Sequence, residues 1–285
     1  MVAFSVKDSD KKVIYLLYDY LCQIEWIDVD FERHFSKGFY VVVFKYNGSD
    51  FNEFLDNFSY VIASFILRYY EHLIVKYLIN TDYCYFEKNE KLVIEQEFGL
   101  LNKPSIIKSN RKLICKLTKS YAMQNSFFVF RGFICFALSD YISVLKELVQ
   151  ESVNQFIIDK EYLRFVDMLR DYIRNSVCKT STIHLLYLNN IAYLIDDDGK
   201  DIALDDFSRT FVSDISFSKN DYVLNTLVGM APSKVVIHLL SPADQFIRTI
   251  QLIFENRAIL CTSCDICENY KKSLEKIKDS GKCNN

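Results

Sequence analysis

The sequence holds 285 residues, 50% hydrophobic and 25% charged, with seven Gly and three Pro; against roughly 100–200 residues per domain, this excludes a small single module, a disordered chain and a turn-dense or collagen-like architecture. A formal net charge of −3 gives the whole molecule no electrostatic case for polyanions, and nine Cys behind an N-terminus lacking a secretory n-region and h-region predict a reducing cytoplasm, not a disulfide scaffold. The longest apolar stretch, 58–79, is broken by Arg68, Glu71, His72 and Lys76, so it fails as a membrane span of about 20 uncharged residues.

Val2 to Val6 reads as a short strand, after which Val13, Leu17, Leu21 and Ile24 recur at helical spacing. Phe39 to Lys45, rich in aromatic and β-branched residues, is a second strand. Asp50 opens a D-x-x-E capping box with Glu53, and Phe51, Leu55, Phe58, Ile62, Phe65, Tyr69, Leu73 and Tyr77 then predict one long helix with a single buried stripe. A short helix over 88–98 comes next, and Gly99 and Pro104 mark a joint. From Ile107 to about Lys119 an amphipathic helix is expected, with Ile107, Leu113, Ile114, Leu117 and Tyr121 on one arc. Two further helices cover 133–157 and 161–174. The pattern then changes to strands at Thr182 to Leu188 and Ile191 to Ile195, joined over Asn189-Asn190. A helix around Asp221 to Met230 is stopped by Pro232. Strand Lys234 to Leu240, a helix opened by Ser241-Pro242-Ala243-Asp244 as a capping box, and strand Ala258 to Leu260 imply parallel pairing through a crossover. The fold class is therefore α+β: an N-terminal β-α-β-α unit (1–104), a helical middle (105–178), a C-terminal mixed α/β layer (179–260) and a cysteine-cluster tail (261–285).

Charge is unevenly placed. Between Phe98 and Ser139 there is no acid, while Lys103, Lys108, Arg111, Lys112, Lys116, Lys119 and Arg131 supply seven cations; the rest of the chain has 27 cations against 37 acids, a net of −10. Lys108, Lys112, Lys116 and Lys119, with Arg111 beside them, lie on one helical face, a candidate contact for a phosphate backbone or anionic lipid headgroups. The plainer reading is a solvated face that answers acids elsewhere.

Phe130-Arg131-Gly132-Phe133 with Phe136 and Tyr141, then Asp159-Lys160-Glu161-Tyr162 with Phe165, resembles the centre of the YtxC-like sporulation proteins of endospore-forming bacteria. Ala231-Pro232-Ser233-Lys234, Ile237-His238, Thr249-Ile250 and Phe254-Glu255-Asn256-Arg257 extend the resemblance through the C-terminal third, where that family also has a cysteine run. Ala137 departs from the family pattern, which has arginine after the aromatic. The family is of unknown biochemical function, so the resemblance implies a sporulation context and carries over no catalytic residue.

Cys261-Thr262-Ser263-Cys264-Asp265-Ile266-Cys267 is C-x2-C-x2-C directly after an expected strand, a spacing that turns successive thiolates toward one centre. A bacterial ferredoxin run would place a cysteine where Lys271 stands, so that motif is incomplete. Cys283, His184, His238 or a partner subunit could complete the shell, and Cys261, Cys264, Cys267 and Cys283 are taken as the candidate ligands. Zinc is the first choice of ion, an iron–sulfur cluster the second, and free cytosolic or redox-sensing thiols without metal the third. Asp196-Asp197-Asp198-Gly199 is a β-turn, since it lacks the spaced ligands and closing glutamate of a calcium loop. The resulting reading is a non-enzymatic, cytoplasmic sporulation factor that binds a protein partner and is stabilised by metal at the cysteines. Its rivals are an iron–sulfur or thiol redox protein, and a nucleic-acid or membrane-surface binder.

Overall fold

A computed structural model describes residues 2–202 and 218–269. The chain divides into two compact units, Met1–Asp159 and Lys160–Asn285. No described helix is long and apolar enough to cross a membrane.

In the first unit β1 (Val2–Asp8), β2 (Val29–Ser36), β3 (Phe39–Tyr46) and β4 (Phe127–Val129) form one sheet in the order β2-β3-β1-β4. β1 runs antiparallel to β3 and parallel to β4. Register sets Phe4 opposite Phe44, and Val6 opposite Val42 and Phe128; alternation along each strand sends all of them to the buried face. On the other face the Lys7 ammonium lies 3.9 Å from the centre of the Phe127 ring. β2 and β4 have no counterpart in the sequence reading. β2 is an edge strand exposed along most of its length, and its alternation of Val29, Phe31 and Phe35 is broken by Arg33, while β4 is three residues long.

Around this sheet are α1 (Lys11–Leu21), α2 (Phe51–Phe65), α3 (Glu71–Asp82), α4 (Lys88–Leu101) and α5 (Pro104–Gln124). Asp50 caps α2 by accepting from the N–H groups of Asn52 and Glu53. The long helix expected after it is interrupted by a π-turn at Ile66–Tyr70. One inserted residue rotates everything beyond it by about a quarter turn. The buried stripe therefore passes from Phe58, Ile62 and Phe65 to Ile74, Val75, Leu78 and Ile79, leaving the expected Leu73 and Tyr77 exposed. A short turn, α6 (Phe130–Gly132), and a second π-turn at Phe133–Ala137 lead into α7 (Ser139–Asn175). The two helices expected over 133–157 and 161–174 are thus a π-turn and one unbroken 37-residue helix.

Glu71 and Tyr141 each stand just beyond a π-turn, and the buried Tyr141 hydroxyl donates to Glu71 Oε2 at 2.6 Å. Asn102 Nδ2 donates to Oε1 of the same carboxylate at 2.9 Å. Burial pushes the Glu71 carboxyl above its ordinary range, and the two hydrogen bonds oppose that shift. Tyr141→Phe removes one donor, so it should raise the Glu71 pKa further. The expected cost is about 1–3 kcal/mol, growing as pH rises through the carboxylate's titration and shrinking in acid, as chemical denaturation at pH 4 and pH 8 would show.

In the second unit β5 (Thr182–Leu188), β6 (Ile191–Ile195), β7 (Lys234–Leu239) and β8 (Ala258–Leu260) form a sheet in the order β6-β5-β7-β8. Asn189 (φ 50°) and Asn190 (φ 62°) make the left-handed pair that turns β5 into β6. β5, β7 and β8 are parallel, with α8 (Lys219–Met230) and α9 (Gln245–Phe254) in the connections. Ile183, Leu185, Tyr187, Val235 and Ile237 face a core built with Val223 and Leu227 of α8, Ile247 and Ile250 of α9, and Val166 and Ile173 of α7. The capping box expected at Ser241 is displaced: α9 begins at Gln245 with Asp244 as its cap, and Ser241 Oγ instead accepts from the Asn189 N–H at 2.6 Å. Ile250 is fully buried, so Ile250→Asp should destabilise the protein by about 3 kcal/mol or more and lower its melting temperature.

Candidate metal centre

The candidate centre is built on the face of the second sheet opposite its helical core. Parallel register pairs Leu186 with His238 and His184 with Val236, so both histidines point away from the face carrying Leu185 and Ile237. β8 ends at Leu260, and the Cys261 N–H donates to Ile237 O at 2.9 Å, which carries the ladder to β7 into the first cysteine. Residues 265–269 then form a helical turn, closed by the Glu268 N–H on Cys264 O at 3.1 Å. That turn brings Cys267 back over His238.

His238 Nδ1 lies 3.2 Å from Cys267 Sγ and 3.4 Å from Cys264 Sγ, and Cys267 Sγ is 3.9 Å from Cys261 Sγ. The four ligand atoms of His238, Cys261, Cys264 and Cys267 all lie within 4.8 Å of one another. This group could hold a metal ion. The sequence motif's three cysteines are brought together, and of the completions the sequence left open His238 is the one that joins them; Cys283 lies outside the described residues. A signal for His238 existed, because a histidine out of phase with the apolar alternation of β7 adjoins the strand that leads into the cysteines.

Electrostatics explain why such a group wants a cation. Burial, then the neighbouring Cys264 and Cys261 sulfurs, push the Cys267 thiol up to about 12. Burial and the hydrogen bond with Cys264 also raise Cys261. At Cys264 burial acts upward too, but the Cys267 N–H, the flanking thiols and the Ile266 N–H outweigh it and hold the thiol below its ordinary value. One sulfur can therefore ionise at modest cost, while three thiolates this close need a positive ion between them. Burial, then the adjacent His184, lower His238 to about 4, so its imidazole is neutral and keeps a lone pair for ligation.

The basic face of α5 is less free than its sequence suggests. α5 packs along α2 with Asn110, Ile114, Thr118 and Ala122 innermost, so the buried line is turned from the expected arc, with Leu113, Leu117 and Tyr121 on its flank. Lys119 pairs with Asp56 and Arg111 donates to the Tyr60 hydroxyl at 3.2 Å, both on α2. Lys108, Lys112 and Lys116 remain exposed. Lys112→Glu with Lys116→Glu should leave the unfolding free energy within about 1 kcal/mol of wild type, since neither side chain is packed.

The YtxC-like family model matches residues 56–259. The chain belongs to that family. It is similar to the uncharacterised protein YtxC of Bacillus subtilis (strain 168), with 23% identity over 210 residues, 69% of this chain and 73% of the relative. No solved structure matches the chain. The family match takes in both histidines of the second sheet and stops two residues before Cys261.

Proposed function

We propose that this YtxC-like protein is a non-enzymatic, cytoplasmic factor of spore formation that acts by binding a protein partner, and that a single zinc ion on Cys261, Cys264, Cys267 and His238 holds its C-terminal segment. The sporulation context rests on the family resemblance. The observation that carries the metal reading is the convergence of four ligand atoms within 4.8 Å. Tetrahedral zinc with Zn–S of about 2.3 Å and Zn–N of about 2.0–2.1 Å has edges of about 3.8 Å between sulfurs and about 3.5 Å between nitrogen and sulfur; the sulfur–sulfur separation of 3.9 Å and the nitrogen–sulfur separations of 3.2 and 3.4 Å lie close to those values. A cubane places each thiolate on a different iron and so asks for a wider set. Four protein ligands close the shell, which is the arrangement of structural rather than catalytic zinc.

Metal analysis of anaerobically purified protein should return one zinc per chain and no visible chromophore; a brown chromophore would support the iron–sulfur alternative. Cys264→Ser should abolish stoichiometric metal and expose the chain beyond about Arg257 to protease, because structural zinc contributes its binding energy to folding. Cys283→Ser should leave stoichiometric metal binding intact, because the four-ligand shell does not include it. Rapid reaction of Cys261, Cys264 and Cys267 with a thiol reagent in native, metal-replete protein would overturn the reading.

The exposed row Lys108, Lys112 and Lys116 supports a second reading, contact with nucleic acid or an anionic membrane surface. Counterion release then requires that binding to DNA, RNA or anionic vesicles fall with salt and vanish in Lys112→Glu/Lys116→Glu.

A further inference from the structure

We infer that Asp197 and His184 form a hydrogen-bonded relay that selects the tautomer of His238 and so positions it as a metal ligand through Nδ1. The inference rests on the metal reading above and assigns a role to two residues outside the ligand set. His184 Nε2 is 3.2 Å from Asp197 Oδ1, and His184 Nδ1 is 2.9 Å from His238 Nε2. His238 Nδ1 in turn faces the sulfurs of Cys264 and Cys267.

Proton counting along this line admits one arrangement for two neutral imidazoles. The Asp197 carboxylate only accepts, so His184 must carry its proton on Nε2. His184 Nδ1 is then a lone pair, and at 2.9 Å it requires the proton of His238 on Nε2. That leaves His238 Nδ1 bare and aimed at the cysteine sulfurs, as ligation demands. The opposite tautomer of His184 would set a lone pair against the carboxylate. The opposite tautomer of His238 would set two lone pairs against each other and cover the ligand atom with hydrogen.

Each member is held by the backbone. Both histidines lie on adjacent parallel strands, and His238 is 1% exposed, so water cannot replace His184 as its partner. Asp197 sits in a turn that Asp196 ties down by accepting from the N–H groups of Asp198 and Lys200 at 3.0 and 2.8 Å, with Gly199 supplying the positive φ of 78°. Partners of this kind orient metal-bound histidines, and losing one weakens metal affinity by about 10–100-fold.

The test is Co²⁺ affinity by chelator competition, with thiolate-to-cobalt absorption as the spectroscopic signature, on the full chain of wild type, His184→Leu, His184→Asn and Asp197→Asn. His184→Leu should bind about 10–100-fold more weakly than wild type. His184→Asn should recover most of that loss, because its amide oxygen can accept from His238 Nε2 near the position of the lost ring nitrogen. Asp197→Asn, on the exposed turn, should fold normally and still bind several-fold more weakly. Long-range ¹H–¹⁵N spectra of the metal-free protein should show His238 protonated on Nε2 in wild type and a mixture of tautomers in Asp197→Asn. Wild-type affinity in both His184→Leu and Asp197→Asn overturns the relay and leaves the metal reading standing. Absence of thiolate-to-cobalt absorption in the wild-type protein overturns both.

Discussion

The burial of three thiols against one imidazole sets the character of the C-terminal end of this protein. The sheet β6-β5-β7-β8 packs helices on one face, and the segment after β8 lies against the other. What joins that segment to the sheet is a polar contact, His238 against Cys264 and Cys267, where an ordinary two-layer domain would place apolar side chains. Burial keeps His238 neutral and holds Cys267 protonated, so the cluster is uncharged but polar and buried, and a cation that displaced the thiol protons would turn a costly polar cluster into a staple.

The path of the chain into that cluster is under local constraint. Glu255 comes directly after α9 with φ 45°, a conformation that L side chains rarely adopt, and it opens the turn into β8. Arg174 grips its carboxylate through Nη2 at 2.7 Å and Nε at 3.2 Å, and Arg170 approaches to 3.4 Å. Arg257 Nη1 donates to Pro232 O at 3.3 Å, just past Ala231, whose φ of 42° ends α8. The ion pairs of Arg170 and Arg174 with Glu255 are individually weak. Their effect is geometric, since they define where β8 starts and hence where Cys261 falls beside β7.

In the first unit the comparable device is the pair of π-turns. Each adds one residue to a helix and so re-aims the side chains beyond it, among them Glu71 and Tyr141, which meet in the core. A buried carboxylate with two donors specifies how α3, α4 and α7 must be arranged more sharply than apolar contacts do, because a shift of either partner strands a charge.

Much of this was legible from residue order alone. The strands at Phe39 and Thr182, the Asn189-Asn190 turn, the cap at Asp50 and the parallel β7-α9-β8 unit are each local, written in alternation, capping chemistry and helical spacing that neighbours in sequence impose on one another. The C-x2-C-x2-C run also belongs to this class, because its convergence needs only one turn of chain. Tertiary structure alone decided the rest. A π-turn has no composition of its own, so the phase of the stripe beyond Phe65 and the burial of Glu71 depended on packing. β4 becomes a strand only because β1 offers it an edge across more than a hundred residues, and Arg111 and Lys119 lose their freedom only because α2 lies alongside. His238 joins the cysteines, with His184 and Asp197 behind it, for the same reason: parallel pairing sets side by side residues whose separation in sequence no local pattern records.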